Sequence, residues 1–104
     1  MEALLDHSAN HISKAITIMG KVQGVGFRAW MRTNAQNLGL TGFVQNLPDG
    51  SVYAEVTGNK ETVNKLEDLC HVGPANARVE KVISKSLNIK HEGDFRILRA
   101  NDFY

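Results

Sequence analysis

The stretch IMGKVQGVGFR, residues 18–28, decides how this chain folds, because the sequence pattern changes there from that of a strand to that of a helix. Before it, isoleucines at 12, 16 and 18 fall on one side of an extended chain, and this period of two predicts a β-strand over residues 12–19. After its glycines, an apolar stripe at helical spacing predicts a helix that ends at Gly39. The stripe consists of Phe27, Trp30, Met31, Ala35 and Leu38.

A hairpin and a second helix follow in the sequence. Residues alternate over 43–47 and again over 52–56, and the turn residues Pro48-Asp49-Gly50 lie between them, so two paired strands are predicted. Apolar residues at helical spacing then predict a helix over residues 61–72, with Asn59 as its N-cap and a Gly-Pro pair beyond its end.

The last part of the chain predicts one longer and one short strand. Residues 77–83 alternate with a single slip of the kind that a β-bulge causes, residues 84–93 are polar and predict a loop, and residues 95–98 predict the short strand. The order is βαββαβ with a short terminal strand. It favours an α+β fold with both helices on one face of a mostly antiparallel sheet of four to five strands, the split β-α-β arrangement.

Size and composition favour a single globular domain. The chain has 104 residues, of which 42% are hydrophobic and 22% charged, and its net charge is +1. A charge this close to zero argues against nucleic acid or an anionic membrane as a partner, because both favour a basic surface. We predict that residues 12–104 form the domain and that residues 1–11 are a flexible tail.

The cysteine content and the N-terminal sequence predict where the protein is located. Cys70 is the single cysteine, so an intrachain disulfide is excluded. The N-terminus is acidic and polar, unlike a secretory signal, and no apolar stretch approaches the roughly 20 residues of a membrane span. We expect a cytoplasmic protein that acts as a monomer.

The glycine loop between the first strand and the first helix is a candidate anion site. Glycines at 24 and 26 let the backbone turn so that successive N–H groups converge, and the helix N-terminus adds further N–H groups and a positive dipole end. Arg28, in the first helical turn, can grip two phosphate oxygens. The alternative is a tight strand-to-helix turn with Arg28 as a solvated surface charge.

Two other glycine motifs fit this loop poorly. A Walker loop is excluded because no Gly-Lys-Ser/Thr follows. The dinucleotide pattern G-x-G-x-x-G/A is satisfied by residues 24–29, but the next strand enters a hairpin and not a second parallel crossover, and the chain is short for a doubly wound domain.

Asn46 is the second candidate, near the end of the strand that leads into the Pro-Asp-Gly turn. A side-chain amide in that position can accept a hydrogen bond from a water molecule and so orient it. The alternative is that Asn46 only opens the turn, which asparagine does well.

The other reactive residue types indicate no further site. Cys70 falls on the apolar side of the second helix and is interpreted as a small buried hydrophobic residue. The four histidines, at 7, 11, 71 and 91, lack metal-ligand spacing, and no nucleophile with a neighbouring base is evident. We therefore expect neither a metal nor a cofactor.

Two stretches together resemble the acylphosphatase family. They are IMGKVQGVGFR, residues 18–28, and GFVQNLPDGSV, residues 42–52. Gly73-Pro74 and the closing Phe95-Arg96-Ile97 are also similar to the later part of that family, so the resemblance extends over about residues 12–99. Residues 1–11 lie outside it. The resemblance implies a ferredoxin-like sandwich and the hydrolysis of small acyl phosphates to a carboxylate and inorganic phosphate.

The resemblance also implies roles for individual residues. It implies that Asn46 positions the attacking water and that Arg28 clamps the phosphoryl group, which phosphate or sulfate could replace as a site ligand. Gln45 stands where the family often has lysine or arginine, which lowers the local positive charge. The loop that cradles the phosphoryl group through its backbone is implied to consist of Gln23, Gly24, Val25, Gly26, Phe27 and Arg28.

Three other functions compete with this one. The same fold and loop can serve as a carbamoyl-phosphate-handling domain of larger maturation proteins. For a chain of 104 residues without paired cysteines we expect no partner domains and favour a free-standing enzyme. An RNA-binding module would need exposed aromatic residues on its central strands and a basic face, whereas Tyr53 is the one aromatic residue of the third strand. A purely structural adaptor would show no affinity for phosphate.

Overall fold

A computed structural model describes residues 10–99 of the chain. The helices and strands in that range are, in order, β1 (His11–Lys21), α1 (Phe27–Asn37), β2 (Thr41–Asn46), β3 (Val52–Asn59), α2 (Lys60–Cys70), β4 (Arg78–Leu87) and β5 (Phe95–Leu98). They form one five-stranded sheet in the order β4-β1-β3-β2-β5. The predicted tail lies outside the described residues except for its last two, and His11 is already part of β1 because it pairs with Asn59.

The sheet is mostly antiparallel. β1 pairs with β3 and β4, and β2 pairs with β3, all in antiparallel register, whereas β5 runs parallel to β2. The two helices pack against this mixed sheet, so the predicted ferredoxin-like α+β fold is confirmed. Neither helix is long and apolar enough to cross a membrane in the part of the chain described.

The core lies between the helices and the sheet. Alternate residues of β1 and β3, such as Ile16 and Val56, point toward the apolar sides of α1 and α2 and are fully buried. Trp30 is half-buried, packs against the core and contacts Phe27, with 5.2 Å between ring centroids, as its place in the apolar stripe predicts. Cys70 is buried as predicted, and this burial raises the pKa of its thiol to about 12.

The boundaries of α2 differ slightly from the prediction. Asn59 is the N-cap as predicted, because its side chain accepts a hydrogen bond from the Glu61 N–H at 2.9 Å. The helix ends at Cys70 and not at residue 72, because the N–H groups of His71 and Val72 form i→i−3 bonds to Asp68 and Leu69 and Gly73 is left-handed, with a φ of 73°.

Of the two predictions made for the region of β4, the bulge is confirmed and the extent of the following loop is wrong. Its register against β1 slips at Glu80, since Met19 pairs with Lys81 and Gly20 with Val79, and this is the predicted bulge. The predicted loop over 84–93 is wrong for its first four residues, which continue β4 and pair with β1. β4 is an edge strand, so polar side chains such as Lys85 remain exposed and hide the strand pattern.

An ion pair joins the sheet to α2 beneath this edge. Lys14 of β1 donates to the Glu67 carboxylate at 2.6 Å and to the Asn64 side chain at 2.9 Å, and the Ser84 hydroxyl donates to the same carboxylate at 2.9 Å. Partial burial raises the pKa of Glu67, but the hydrogen bonds from Lys14 and Ser84 outweigh it, so the pKa lies below its ordinary value.

A lowered pKa means that Glu67 stabilises the fold when it is ionised. This contribution is complete above the ordinary pKa of 4.5 and is lost as the pH falls through the lower pKa of the folded state. We expect Glu67→Gln to lower the free energy of unfolding by about 1 kcal/mol near neutral pH, and by less in acid. Urea unfolding at both pH values measures this, with exposed Glu92→Gln as the control. An equal loss at both pH values would contradict it.

Candidate active site

Three segments meet at one end of the sheet and enclose a pocket of about 160 Å³. They are the loop that joins β1 to α1 together with the start of α1, the end of β2, and the end of β5. Parallel pairing of β2 with β5, in which Val44 lies opposite Ile97, brings the ends of these two strands to the same edge. The pocket is lined by Val22, Gly24, Gly26, Phe27, Arg28, Ala29, Asn46, Ile97 and Arg99.

The loop needs glycine for its conformation and not for lack of space. Gly24 and Gly26 have φ angles of 74° and 80°, in the left-handed region, yet a Cβ atom at either position would meet nothing within 4 Å. Gly26 is the N-cap of α1 and offers no side-chain cap, and the first turn of α1 carries no acidic residue. The start of α1 therefore lies at the pocket with no side-chain cap and no competing carboxylate in its first turn, which suits an anion site.

Arg28 is one of two arginines that line the pocket, the other being Arg99, and it brings a positive charge to the start of α1. It lies in the first turn of α1, is half-buried, lines the pocket, and forms no ion pair within residues 10–99. A guanidinium placed beside converging N–H groups complements the charge and the planar oxygen pairs of a phosphoryl group. The structure thus places Arg28 against the pocket, and not on the solvent-facing side of the helix.

Asn46 has an unusual environment. It is the last residue of β2, lines the pocket, and has a side-chain Oδ1 atom that is buried and accepts no hydrogen bond from any described residue. A buried acceptor without a partner is rare in proteins and often marks a functional position. A residue of the pocket wall thus carries a hydrogen-bond acceptor that the described part of the fold does not use.

The turn after Asn46 is held together without its side chain. The Gly50 N–H donates to the Leu47 carbonyl at 3.1 Å, and the Asp49 carboxylate accepts hydrogen bonds from the N–H and the hydroxyl of Ser51. The hydrogen bond from the Ser51 hydroxyl is the main reason that the pKa of Asp49 is lowered. The alternative role of Asn46 as the residue that opens the turn is therefore not supported.

The loop is also tied to this turn. The side-chain amide of Gln23 donates to the carbonyl oxygens of Leu47 and Ser51 at 2.8 and 2.9 Å. Of the predicted loop residues, Gln23 and Val25 are not among those that line the pocket, and Val25 packs against the core. The structure brings the other four, Gly24, Gly26, Phe27 and Arg28, together with Asn46.

The predicted site residues omitted four that line the pocket: Val22 and Ala29, which flank the predicted loop in the sequence, and the more distant Ile97 and Arg99. Ile97 and Arg99 line it from β5 and the residue after that strand. The segment was predicted as a strand, but its parallel partner was not, and only that pairing places it beside Asn46. Within residues 10–99, no group of three or more His, Cys, Asp or Glu residues is arranged to hold a metal ion.

Comparisons with known proteins agree with this fold. The sequence model of the acylphosphatase family matches residues 14–97. An acylphosphatase of Rhodopseudomonas palustris is 40% identical over 95 residues, which span 86% of this chain and 96% of that protein. The structure of an acylphosphatase from Coxiella burnetii superposes with a TM-score of 0.86 at 33% identity, covering 91% of this chain and all of the other.

A larger protein contains a similar unit. Full-length HypF, in a phosphate- and nucleotide-bound form, matches with a TM-score of 0.76 at 25% identity, over 86% of this chain but 12% of HypF. The family match and the Rhodopseudomonas relative together show that the chain belongs to the acylphosphatase family. It is accordingly an enzyme of acyl phosphate hydrolysis, and the pocket at the end of β2 is its candidate active site.

The unpartnered oxygen of Asn46 leads to a prediction about stability. Because Asn46→Ala removes no hydrogen bond made by the Oδ1 atom, we expect the free energy of unfolding to change by less than about 0.5 kcal/mol. Thr57→Ala is the contrasting variant, since the buried Thr57 hydroxyl bonds to Ser13 and to the His91 N–H, and its loss costs about 1–3 kcal/mol. Urea unfolding compares the two, and a comparable loss in both variants would contradict the assignment.

Proposed function

We propose that the pocket binds the phosphoryl group of a small acyl phosphate and that a water molecule held by Asn46 attacks its phosphorus in line with the leaving carboxylate. One observation carries the proposal: the same pocket is lined by Arg28, by the left-handed glycines of the loop and by Asn46, whose buried Oδ1 has no hydrogen-bond partner among the described residues. A binding site for phosphate alone would use the first two features and would have no use for the third.

Binding of the phosphoryl group falls to the loop and Arg28. Backbone N–H groups at the start of α1 and the guanidinium can donate hydrogen bonds to the equatorial phosphoryl oxygens and stabilise the negative charge that is spread over them. They are already in place before substrate arrives, so little reorganisation accompanies the transition state. Phosphate or sulfate, which carries the same oxygen geometry, is expected to compete for this site.

Attack requires a water molecule at a fixed position. The Asn46 Oδ1 atom accepts one hydrogen bond from that water and leaves the oxygen lone pair directed at phosphorus. In the reaction the water oxygen forms a bond to phosphorus while the bond from phosphorus to the acyl oxygen breaks, and its electron pair leaves with the carboxylate. A phosphoryl oxygen takes the proton that the water loses.

The leaving group explains the composition of the pocket. A carboxylate departs without a proton, so a general acid is dispensable, and no His, Cys, Asp or Glu is among the described residues that line the pocket. The volume of about 160 Å³ is below the roughly 300 Å³ at which pockets for drug-sized ligands begin. These features support a small substrate. The expected cytoplasmic location and monomeric state stay predictions.

The two site residues make different contributions to the rate. We expect Arg28→Ala to lower kcat/KM by about a thousandfold, because it removes the charge that stabilises the transition state. Asn46→Ala should lower kcat by about a hundredfold with little change in KM. The variant lacks the amide that holds the attacking water but keeps the groups that bind the phosphoryl group. Steady-state hydrolysis of a simple acyl phosphate measures both variants.

The matched control for Arg28→Ala lies one turn further along the same helix. Arg32 is exposed and is not among the residues of the pocket, so Arg32→Ala removes the same charge from α1 without touching the site. We expect it to keep wild-type activity. Full activity in both Arg28→Ala and Asn46→Ala would refute the proposed mechanism.

The proposed mechanism uses protein groups alone to bind the phosphoryl oxygens, so the dependence of the rate on metal ions tests it. We expect kcat to be unchanged by an excess of EDTA, because Arg28 and the loop N–H groups bind the phosphoryl oxygens in this mechanism. The measurement is the rate before and after dialysis against EDTA. A loss that is restored by a divalent cation would contradict the mechanism.

A further inference from the structure

The side chain of Gln23 connects the two halves of the proposed active site. Its amide nitrogen has two N–H donors, and they bond to the Leu47 carbonyl at 2.8 Å and the Ser51 carbonyl at 2.9 Å. Gln23 directly precedes Gly24 of the pocket, and Leu47 directly follows Asn46. One side chain thus ties the loop proposed to hold the phosphoryl group to the residue proposed to hold the water.

The far end of this connection is rigid. The Leu47 N–H donates to the Ser51 carbonyl at 2.9 Å, and the Asp49 carboxylate accepts two hydrogen bonds from Ser51, which is buried. Because the Gln23 side chain donates to two carbonyls of this turn, it holds the loop before α1 at a fixed distance from the turn. The near end is the loop before α1, in which Gly24 and Gly26 are left-handed, and the Gln23 side chain adds a hydrogen-bonded tie between this loop and the turn.

The connection does little for stability by itself. Both carbonyls that accept from Gln23 also accept from the backbone, Leu47 from the Gly50 N–H and Ser51 from the Leu47 N–H. Loss of the Gln23 amide therefore leaves neither carbonyl without a partner, and the large penalty of an orphaned buried acceptor is avoided. A change at Gln23 should consequently affect the geometry of the site more than the fold.

We propose that Gln23 is a positioning residue whose side chain sets the distance between the bound phosphoryl group and the water held by Asn46. The inference rests on the function proposed above. It gives Gln23 a role through its side chain, in addition to the backbone role implied by the family resemblance. Its effect falls on kcat, because in-line attack tolerates little misplacement of water relative to phosphorus.

The test replaces Gln23 by methionine, which is unbranched, of similar length and without donors. We expect kcat for a simple acyl phosphate to fall about 10- to 100-fold. The inhibition constant of inorganic phosphate should change by less than about threefold, since the N–H groups and Arg28 remain. Gln23→Asn, which keeps the amide but is too short to reach both carbonyls, should show the same loss of kcat.

Gln36→Met is the matched control. Gln36 lies on α1 and also donates from its side chain to a backbone carbonyl, that of Phe95 at 3.4 Å, but it is not among the residues of the pocket. We expect this variant to keep the wild-type kcat. Thermal unfolding of all variants verifies that each is folded under the assay conditions.

A coupling measurement separates positioning from a structural role. If Gln23 acts through Asn46, then Gln23→Met combined with Asn46→Ala should lower kcat by no more than about twofold beyond Asn46→Ala alone. Additive losses, or an unchanged kcat in Gln23→Met with an active wild type, would overturn the inference and leave the proposed function standing. An inactive wild type would instead overturn the proposed function, and the inference with it.

Discussion

The left-handed backbone at Gly24 and Gly26, with φ angles of 74° and 80°, turns the chain from β1 into α1 within five residues. The helix therefore begins directly at the edge of the sheet, and its first N–H groups and Arg28 lie against the end of β2. A residue with a Cβ atom would find space at both positions but would be strained in this conformation. The site depends on this turn because it brings the start of α1, with Arg28, to the pocket.

The fold supports the turn from two sides. β2 is paired on both edges, with β3 and with β5, so Asn46 lies at the end of an internal strand. Phe27 at the start of α1 is fully buried in the core and fixes the first helical turn from below. Regular elements thus hold the groups of the pocket. The buried side-chain atom that residues 10–99 leave unpartnered, Asn46 Oδ1, is the one proposed to bind the attacking water.

Much of this arrangement could be predicted from the sequence, for reasons that lie in particular elements. β1, α1 and the β2–β3 hairpin each bury one face, so their periodicity is strong, and Asn59 and Cys70 take the positions expected of a cap and a core residue. The second half of β4 was missed because an edge strand exposes polar side chains such as Lys85.

What could not be predicted depends on contacts between distant segments. Ile97 joins the pocket through the parallel pairing of β5 with β2, and a sequence pattern does not show which strands pair. The hydrogen bonds from Gln23 reach two carbonyls whose positions exist only once the turn after Asn46 has formed. Periodicity carries no signal for either contact, since both depend on tertiary geometry.

The position of bond cleavage distinguishes attack of water on phosphorus from attack on the acyl carbon. In the proposed mechanism water attacks phosphorus, so hydrolysis in water enriched in the heavy isotope of oxygen should place the label in inorganic phosphate and none in the carboxylate. Mass spectrometry of both products after a single turnover measures this. Label in the carboxylate would mean that water attacks the acyl carbon, and it would contradict a pocket built to hold a phosphoryl group and its attacking water.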